Sequence, residues 1–409
     1  MELEKSLKNK KRHFTNSFWD MNQYRFYLLL LCSLILASCK SENTLPVLKI
    51  ETNTELNFED KQKGELTFFK KNKPIQIEAK FKYRGGFSSQ FEKRSYTISI
   101  DSAFSIYELP QGKDWILNAN YIDKTFMRHK VCFDLFSEMH FENRSAKSTY
   151  VQLLVNDKPQ GLYVLMQQIN EETLQLNTSD SSAMLFKDPP IFYRQRLDSA
   201  NILANYYEQK FPDFGLQNKN HELDKLRSFL FKSPDENFAD SISFWFDIRN
   251  VVDWHILLLL TNNGDGIMKN FYLYKINSAT PFRIAIWDYD HSFCRDGDNE
   301  YNNLENELNW RASILLKRLV EIESTQYLAQ LKERWKELRK NNLVSKEHLA
   351  QLMEENRAII QSSLEENFKI WPVNSKWYFD ANTFEQEYDL MLECIDKRIR
   401  QMDIYIGQL

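Results

Sequence analysis

The chain has 409 residues, 43% of them hydrophobic and 14% aromatic, which is enough to bury a sizeable core and unlike a disordered segment. Its 53 Lys and Arg stand against 57 Asp and Glu, a formal charge of −4, so there is no broad cationic footprint and nucleic acid is not an expected partner. An anionic substrate must therefore meet a local basic cluster.

Near the start, Arg25 precedes an apolar run from Phe26 to Leu36, followed by Ala37-Ser38-Cys39. The run is short for a transmembrane helix and reads as the apolar region of an export signal. Leu36-Ala37-Ser38-Cys39 resembles the lipobox of bacterial lipoproteins, in which the cysteine carries lipid and becomes the mature N-terminus. The expectation is an export signal over 1–39, lipidation at Cys39 and a cell-envelope protein held to a bacterial membrane by that lipid. A plain membrane anchor with an incidental Cys39 is the alternative. The first 20 residues form a long, polar, lysine-rich leader, and a start at Met21 gives a signal of ordinary size. Cys132, Cys294 and Cys394 remain; their wide spacing matches neither a disulfide framework nor a metal knuckle, so all three are expected to be core or incidental.

After a polar tether over 40–46, residues 47–170 read as a sheet-rich lobe. Ile75, Ile77, Ala79, Phe81 and Tyr83 alternate with polar residues, and Tyr96, Ile98 and Ile100 repeat the pattern, as half-buried strands do. Between them lies Arg84-Gly85-Gly86-Phe87-Ser88-Ser89-Gln90-Phe91-Glu92-Lys93-Arg94, a loop able to bring backbone N–H groups and cations to phosphate, or to form an ordinary hairpin. Asp123 is expected to cap a helix running to about Met139. A hairpin follows, from Tyr150–Val155 through Asn156-Asp157-Lys158-Pro159-Gln160-Gly161 to Leu162–Met166. Residues 171–230 lose periodicity and read as an insert or lid. From 231 to 409 the chain reads as a mainly helical lobe. A deeply buried helix begins at Asp247, and amphipathic stretches lie near 305–320, 324–341, 345–367 and 383–407, the last opened by a Thr383-x-x-Gln386 capping box.

The chemistry is expected at the end of that buried helix. Asn262-Asn263-Gly264-Asp265 forms a loop, Asn270 comes five residues after Asp265, and a hairpin of apolar strands returns the chain to Asp288-Tyr289-Asp290. Phosphoryl transfer from ATP needs a carboxylate to orient or deprotonate the acceptor, and oxygen ligands for the divalent cations that neutralise the phosphates. Protein kinases arrange these parts in the same order. Asp265 is the candidate catalytic residue; Asp288, Asn270 and Asp290 are the candidate metal ligands. Asp288-x-Asp290 is also compatible with the metal site of a nucleotide-sugar glycosyltransferase, although that leaves Asp265 and Asn270 without a role. His255 reads as a core residue, whereas His291 is open between core and site.

Ordered blocks over roughly residues 75 to 295 resemble the CotH family of atypical protein kinases. They are Arg84-Gly85-x-x-Ser88-Ser89 with Lys93-Arg94-Ser95-Tyr96; Asp114-Trp115-Ile116-Leu117 with Asn118, Asn120, Asp123-Lys124 and Met127-Arg128; Leu154-Val155-Asn156 with Gly161-Leu162-Tyr163; and Asn263-x-Asp265, Asn270-Phe271-Tyr272-Leu273-Tyr274 and Trp287-Asp288-x-Asp290-x-Ser292-Phe293. The resemblance implies an α+β, atypical protein-kinase-like two-lobe fold, with a sheet-rich N-terminal half and a mainly helical C-terminal half. It also implies ATP and Mg²⁺ or Mn²⁺ as cofactors, and transfer of phosphate to Ser or Thr of a protein substrate. Lys93 or Arg94 would then contact the nucleotide phosphates, with Arg84 nearby as a further cofactor-binding residue. The chain departs from the family where Gln167 stands for an expected glutamate, Arg94 for a lysine and Cys294 for a glycine. A non-catalytic surface scaffold that keeps the fold is the alternative to an active enzyme.

Overall fold

Seven strands of the N-terminal half form because their apolar residues alternate: β1 (Val47–Glu51), β2 (Gln62–Lys70), β3 (Lys73–Arg84), β4 (Ser95–Phe104), β5 (Gly112–Asn118), β6 (Ser148–Val155) and β7 (Lys158–Gln167). The computed structural model describes residues 45–189, 191–192, 208–213, 221–295, 308–375, 378–379 and 381–409. The expected signal over 1–39, the start at Met21, Cys39 and most of the 40–46 tether lie outside these residues. No helix among the described residues is long and apolar enough to cross a membrane.

The seven strands close into a barrel in the order β1-β2-β3-β4-β5-β7-β6. Closure comes from β1, which pairs antiparallel with β2 and parallel with β6. Leu48, Phe68, Phe81, Ile98 and Trp115 fill the interior. The expected strand around Ile75–Tyr83 is β3, with Ala79 and Phe81 turned into that core.

Helix α1 (Arg128–Met139) lies outside the barrel interior, and its Val131, Phe133 and Phe136 join a core that combines the outer face of the barrel, through Ile116, Tyr150 and Val164, with the C-terminal half. It starts later than Asp123 because Phe126 adopts φ +59°, which ends any helical run before it. The Asp123 carboxylate still serves the helix start, accepting from Arg128 N at 3.0 Å. Arg128, fully buried, also contacts the Asp123 carboxylate at 2.6 Å and Glu387 at 3.0 Å, and donates from Nε to Ser292 O at 3.1 Å. Burial alone would raise the Asp123 pKa; the Arg128 guanidinium and several hydrogen bonds outweigh it and hold the carboxyl below its ordinary value.

In the C-terminal half, β8 (Met184–Lys187), β9 (Glu208–Phe211), β10 (Phe271–Lys275) and β11 (Arg283–Ile286) form a sheet ordered β11-β10-β8-β9. The stretch 171–230 thus contributes two strands to this sheet and most of helix α2 (His221–Lys232). Helices α3 (Asp235–Trp245), α4 (Ile248–Thr261), the single turn α5 (Asp265–Met268), α6 (Ile314–Glu321), α7 (Tyr327–Lys340), α8 (Lys346–Ile370) and α9 (Phe384–Gln408) follow. The capping box at Thr383 and Gln386 is formed.

Cys294 and Cys394 are joined in a disulfide across 100 residues, while Cys132 is free and buried. This corrects the expectation that all three thiols are incidental. The pair was hidden because only the packing of α9 against the loop after Asp290 brings it together.

Candidate active site

Helix α4 is buried along nearly its whole length: Ile256–Leu260 is an unbroken apolar run, and the buried Asp253 of its first half is met by Asn143 and Arg334. Asp247 caps it, accepting from Asn250 N, and Asn262 ends it in a left-handed conformation with φ +53°. Asn250 also pairs with β11 through both amide atoms, donating to Ile284 O at 3.0 Å and accepting from Ile284 N at 2.7 Å. A side chain thereby replaces a neighbouring strand and fixes the edge that leads to Asp288.

Beyond α4, Asn263 Oδ1 accepts from Gly266 N at 2.9 Å and shapes the turn that presents Asp265. The Asp265 carboxylate meets Lys269 at 3.0 Å and lies 4.0 Å from His291 Nδ1. His291 Nε2 is 4.0 Å from Asp290, so this histidine stands between the two carboxylates. His255, by contrast, is fully buried in the core beside Tyr327 OH at 3.1 Å, and burial pushes its pKa down to about 3.

Asn270 takes φ +62° and donates from Nδ2 to Asp288 O at 3.0 Å, leaving its Oδ1 outside that bond. Its own N–H donates to Asp188 Oδ1 at 2.7 Å. Asp188, at the end of β8, was missed from sequence; only its place beside two prolines marked it, and that suggests a turn. Burial raises its carboxyl pKa, with Lys187 and two backbone N–H groups opposing and the Asp288 charge adding.

Asp288 also has a left-handed backbone, φ +57°, and its side chain is half-exposed in the cleft. Ligand atoms of Asp288, Asp290 and His129 lie within 4.8 Å of one another. His129, from α1, was the second residue missed. Asp290 has its pKa raised, first by burial and then by the Asp288 charge, against the pull of His129 and His291. Two converging carboxylates and an amide oxygen are a donor set suited to a hard divalent cation, which would relieve their mutual repulsion.

These groups line a cleft of about 500 Å³ whose other wall is the Arg84–Ser88 loop and residues after β5. Gly85 has φ +137°, and a Cβ there would sit 2.5 Å from Ser88 Oγ, so the loop needs glycine at that position. Arg84 lines the cleft with its guanidinium 5.7 Å from the centre of the Trp287 ring. Burial lowers its pKa, and Asp288 nearby partly offsets this.

Lys93 borders the cleft, but its ammonium is buried and donates to Ala119 O, Leu162 O and Asn367 Oδ1. Those three acceptors use all three of its protons. Asn367 reaches this position because Gly161 has no side chain: a Cβ there would lie 2.7 Å from Asn367 Oδ1. Arg94 is outside the cleft lining; its guanidinium donates to Ser89 O and packs over Phe58. Gln167 is buried outside the cleft lining as well, accepting from Lys147 N at 3.3 Å, so its missing charge is not a feature of the cleft wall. Of the three basic residues in the glycine-loop segment, Arg84 alone has a head group that is both in the cleft wall and not consumed by three protein acceptors. Lys187 and Lys269 add charge from the opposite side.

The family described as CotH kinase protein matches residues 81–402 of this chain. The inner spore coat protein H of Bacillus subtilis (strain 168) is 26% identical over 223 residues, which span 52% of this chain and 58% of that protein. Among solved structures, the Golgi casein kinase aligns over 90% of this chain and 73% of its own, with 12% identity and a TM-score of 0.32. The Helicobacter pylori proinflammatory kinase CtkA aligns over 81% of this chain and 100% of its own, with 10% identity and a TM-score of 0.24. Likeness as low as these last two supports no conclusion about function.

Proposed function

The chain belongs to the CotH kinase family, and on that premise we propose that it transfers phosphate from ATP to Ser or Thr of exported or envelope proteins while anchored to a bacterial membrane through lipid on Cys39. The observation that carries this reading is the convergence of Asp265, Asn270, Asp288 and Asp290 on one cleft that also holds Arg84. Asp288, Asp290 and the Asn270 Oδ1 would hold Mg²⁺ or Mn²⁺, which when bound neutralises charge on the nucleotide phosphates. Arg84 presents a planar fork to phosphate oxygens. Asp265 orients the acceptor hydroxyl and takes its proton, with Lys269 fixing the carboxylate. The Cys294–Cys394 disulfide supports an oxidising compartment and hence export.

A non-catalytic scaffold is the second reading, and the complete engagement of Lys93 by protein acceptors favours it, because that amine then contributes nothing to nucleotide binding. Incubation with γ-labelled ATP and Mn²⁺ separates the two. The kinase reading expects label on the protein itself or on Ser/Thr-rich envelope proteins, and none with Asp265→Asn. Equal labelling by both proteins, or none by either, would contradict it.

A further inference from the structure

We infer that Ser88 is a self-acceptor: its hydroxyl takes phosphate from ATP in cis, and the phosphoserine then pairs with Arg84 and closes the cleft to further nucleotide. This rests on the kinase reading given above and assigns to it a modification site and a form of regulation.

Among the described residues, Ser88 and Ser95 carry the aliphatic hydroxyls that line the cleft. Ser95 is buried and committed: its Oγ accepts from Ala119 N at 3.0 Å and donates to Asn118 Oδ1 at 3.4 Å. Ser89 is outside the lining, and its Oγ donates to Gly86 O at 2.7 Å. Ser88 is exposed, and no hydrogen bond to a described residue holds its Oγ. Its carbonyl closes the turn by accepting from Phe91 N at 3.3 Å, so the backbone is fixed while the hydroxyl is left for another partner.

The hydroxyl is also well placed. The Arg84–Ser88 loop forms one wall of the cleft, and the rest of the lining includes Asp265, Asp288 and Asp290. Ser88 folds back over Gly85, where a Cβ would lie 2.5 Å from Ser88 Oγ. The hydroxyl therefore sits beside the residue that follows Arg84. The Arg84 guanidinium in turn is 5.7 Å from the ring centre of Trp287, the residue before Asp288. A triphosphate held between Arg84 and a cation on Asp288 and Asp290 thus shares the cleft with one uncommitted serine.

In the transfer, Ser88 Oγ attacks the γ-phosphorus; the Oγ–P bond forms as the bond to the β,γ-bridging oxygen breaks, and ADP leaves with that electron pair. The hydroxyl proton passes to the Asp265 carboxylate, the base of the reading above. The product carries roughly two negative charges and three acceptor oxygens, which suit the planar fork of Arg84 on the same loop. Arg84 is then lost to nucleotide binding, and the new charge beside Asp265, Asp288 and Asp290 repels an incoming triphosphate.

The test is incubation of the unsubstituted protein with ATP and Mn²⁺ over a range of protein concentrations, with the phosphate localised by fragmentation mass spectrometry. Phosphate is expected on Ser88, at a first-order rate independent of protein concentration, and not in Asp288→Asn. Once freed of nucleotide, the phosphorylated protein should bind the non-hydrolysable analogue AMP-PNP with Mn²⁺ about tenfold more weakly than protein never exposed to ATP, and phosphatase treatment should restore binding. Ser88→Ala carried through the same incubation should show no such loss. Three results would overturn the inference and leave the kinase reading standing: label on other residues or on envelope proteins with none on Ser88, a rate that rises with protein concentration, or unchanged analogue binding after Ser88 is phosphorylated. Absence of label from the protein and from envelope proteins alike would remove the kinase reading and the inference together.

Discussion

Replacing both Cys294 and Cys394 with Ser should destabilise the fold by about 5 kcal/mol. The disulfide closes a loop across 100 residues. A cross-link over about 100 residues removes unfolded-chain entropy equivalent to about 4.7 kcal/mol at 25 °C. Both positions are buried, so each new hydroxyl that finds no partner adds on the order of 1 kcal/mol to the loss. The bridge also ties the loop that follows the candidate metal ligands to α9, where Glu387 meets Arg128 at 3.0 Å and Arg295 at 3.4 Å. Urea denaturation of the oxidised protein and of the double variant, with midpoints converted through the measured slopes, gives the difference. A loss under about 1 kcal/mol, or thiol counting that finds both cysteines free, would refute the reasoning.

Arg128→Met should cost about 3–5 kcal/mol by stranding the buried Asp123 and Glu387 carboxylates, read as a lowered denaturation midpoint. The folded pKa of Asp123 is depressed, so its contribution is present above the unfolded carboxylate range and lost as pH falls through the folded value; acid titration of stability should show this loss in the parent and a smaller one in Asp123→Asn. Arg84→Gln should weaken nucleotide binding about tenfold or more with little change in melting temperature, measured by titration calorimetry with ATP and Mg²⁺. Because the folded pKa of Asp290 is raised, protons compete for it above the ordinary carboxylate range, and Mn²⁺ affinity should fall by up to about tenfold per pH unit below that value.

Local periodicity carried much of the fold into view. The alternation in β3, the apolar run of α4 and the Thr383–Gln386 cap each depend on residues a few positions apart, and each forms. The Asp265, Asn270 and Asp288 spacing was legible for the same reason: one helix end and one hairpin bring them together. Features made by distant partners were not legible. Barrel closure depends on β1 pairing with β6, and the engagement of Lys93 depends on Asn367, 274 residues further on. His129 follows the Met127-Arg128 block with no spacing to Asp288 that would mark it. Arg94 sits next to Lys93 in a basic loop, yet its guanidinium closes that loop against Ser89.

The central claim is that this cleft transfers phosphate. It is tested most directly by incubating the protein with γ-labelled ATP and Mn²⁺, then mapping the modified residues by mass spectrometry. Label on Ser or Thr that disappears with Asp265→Asn and with Asp288→Asn is the predicted result, while label that survives both substitutions, or none from the unsubstituted protein, would contradict it.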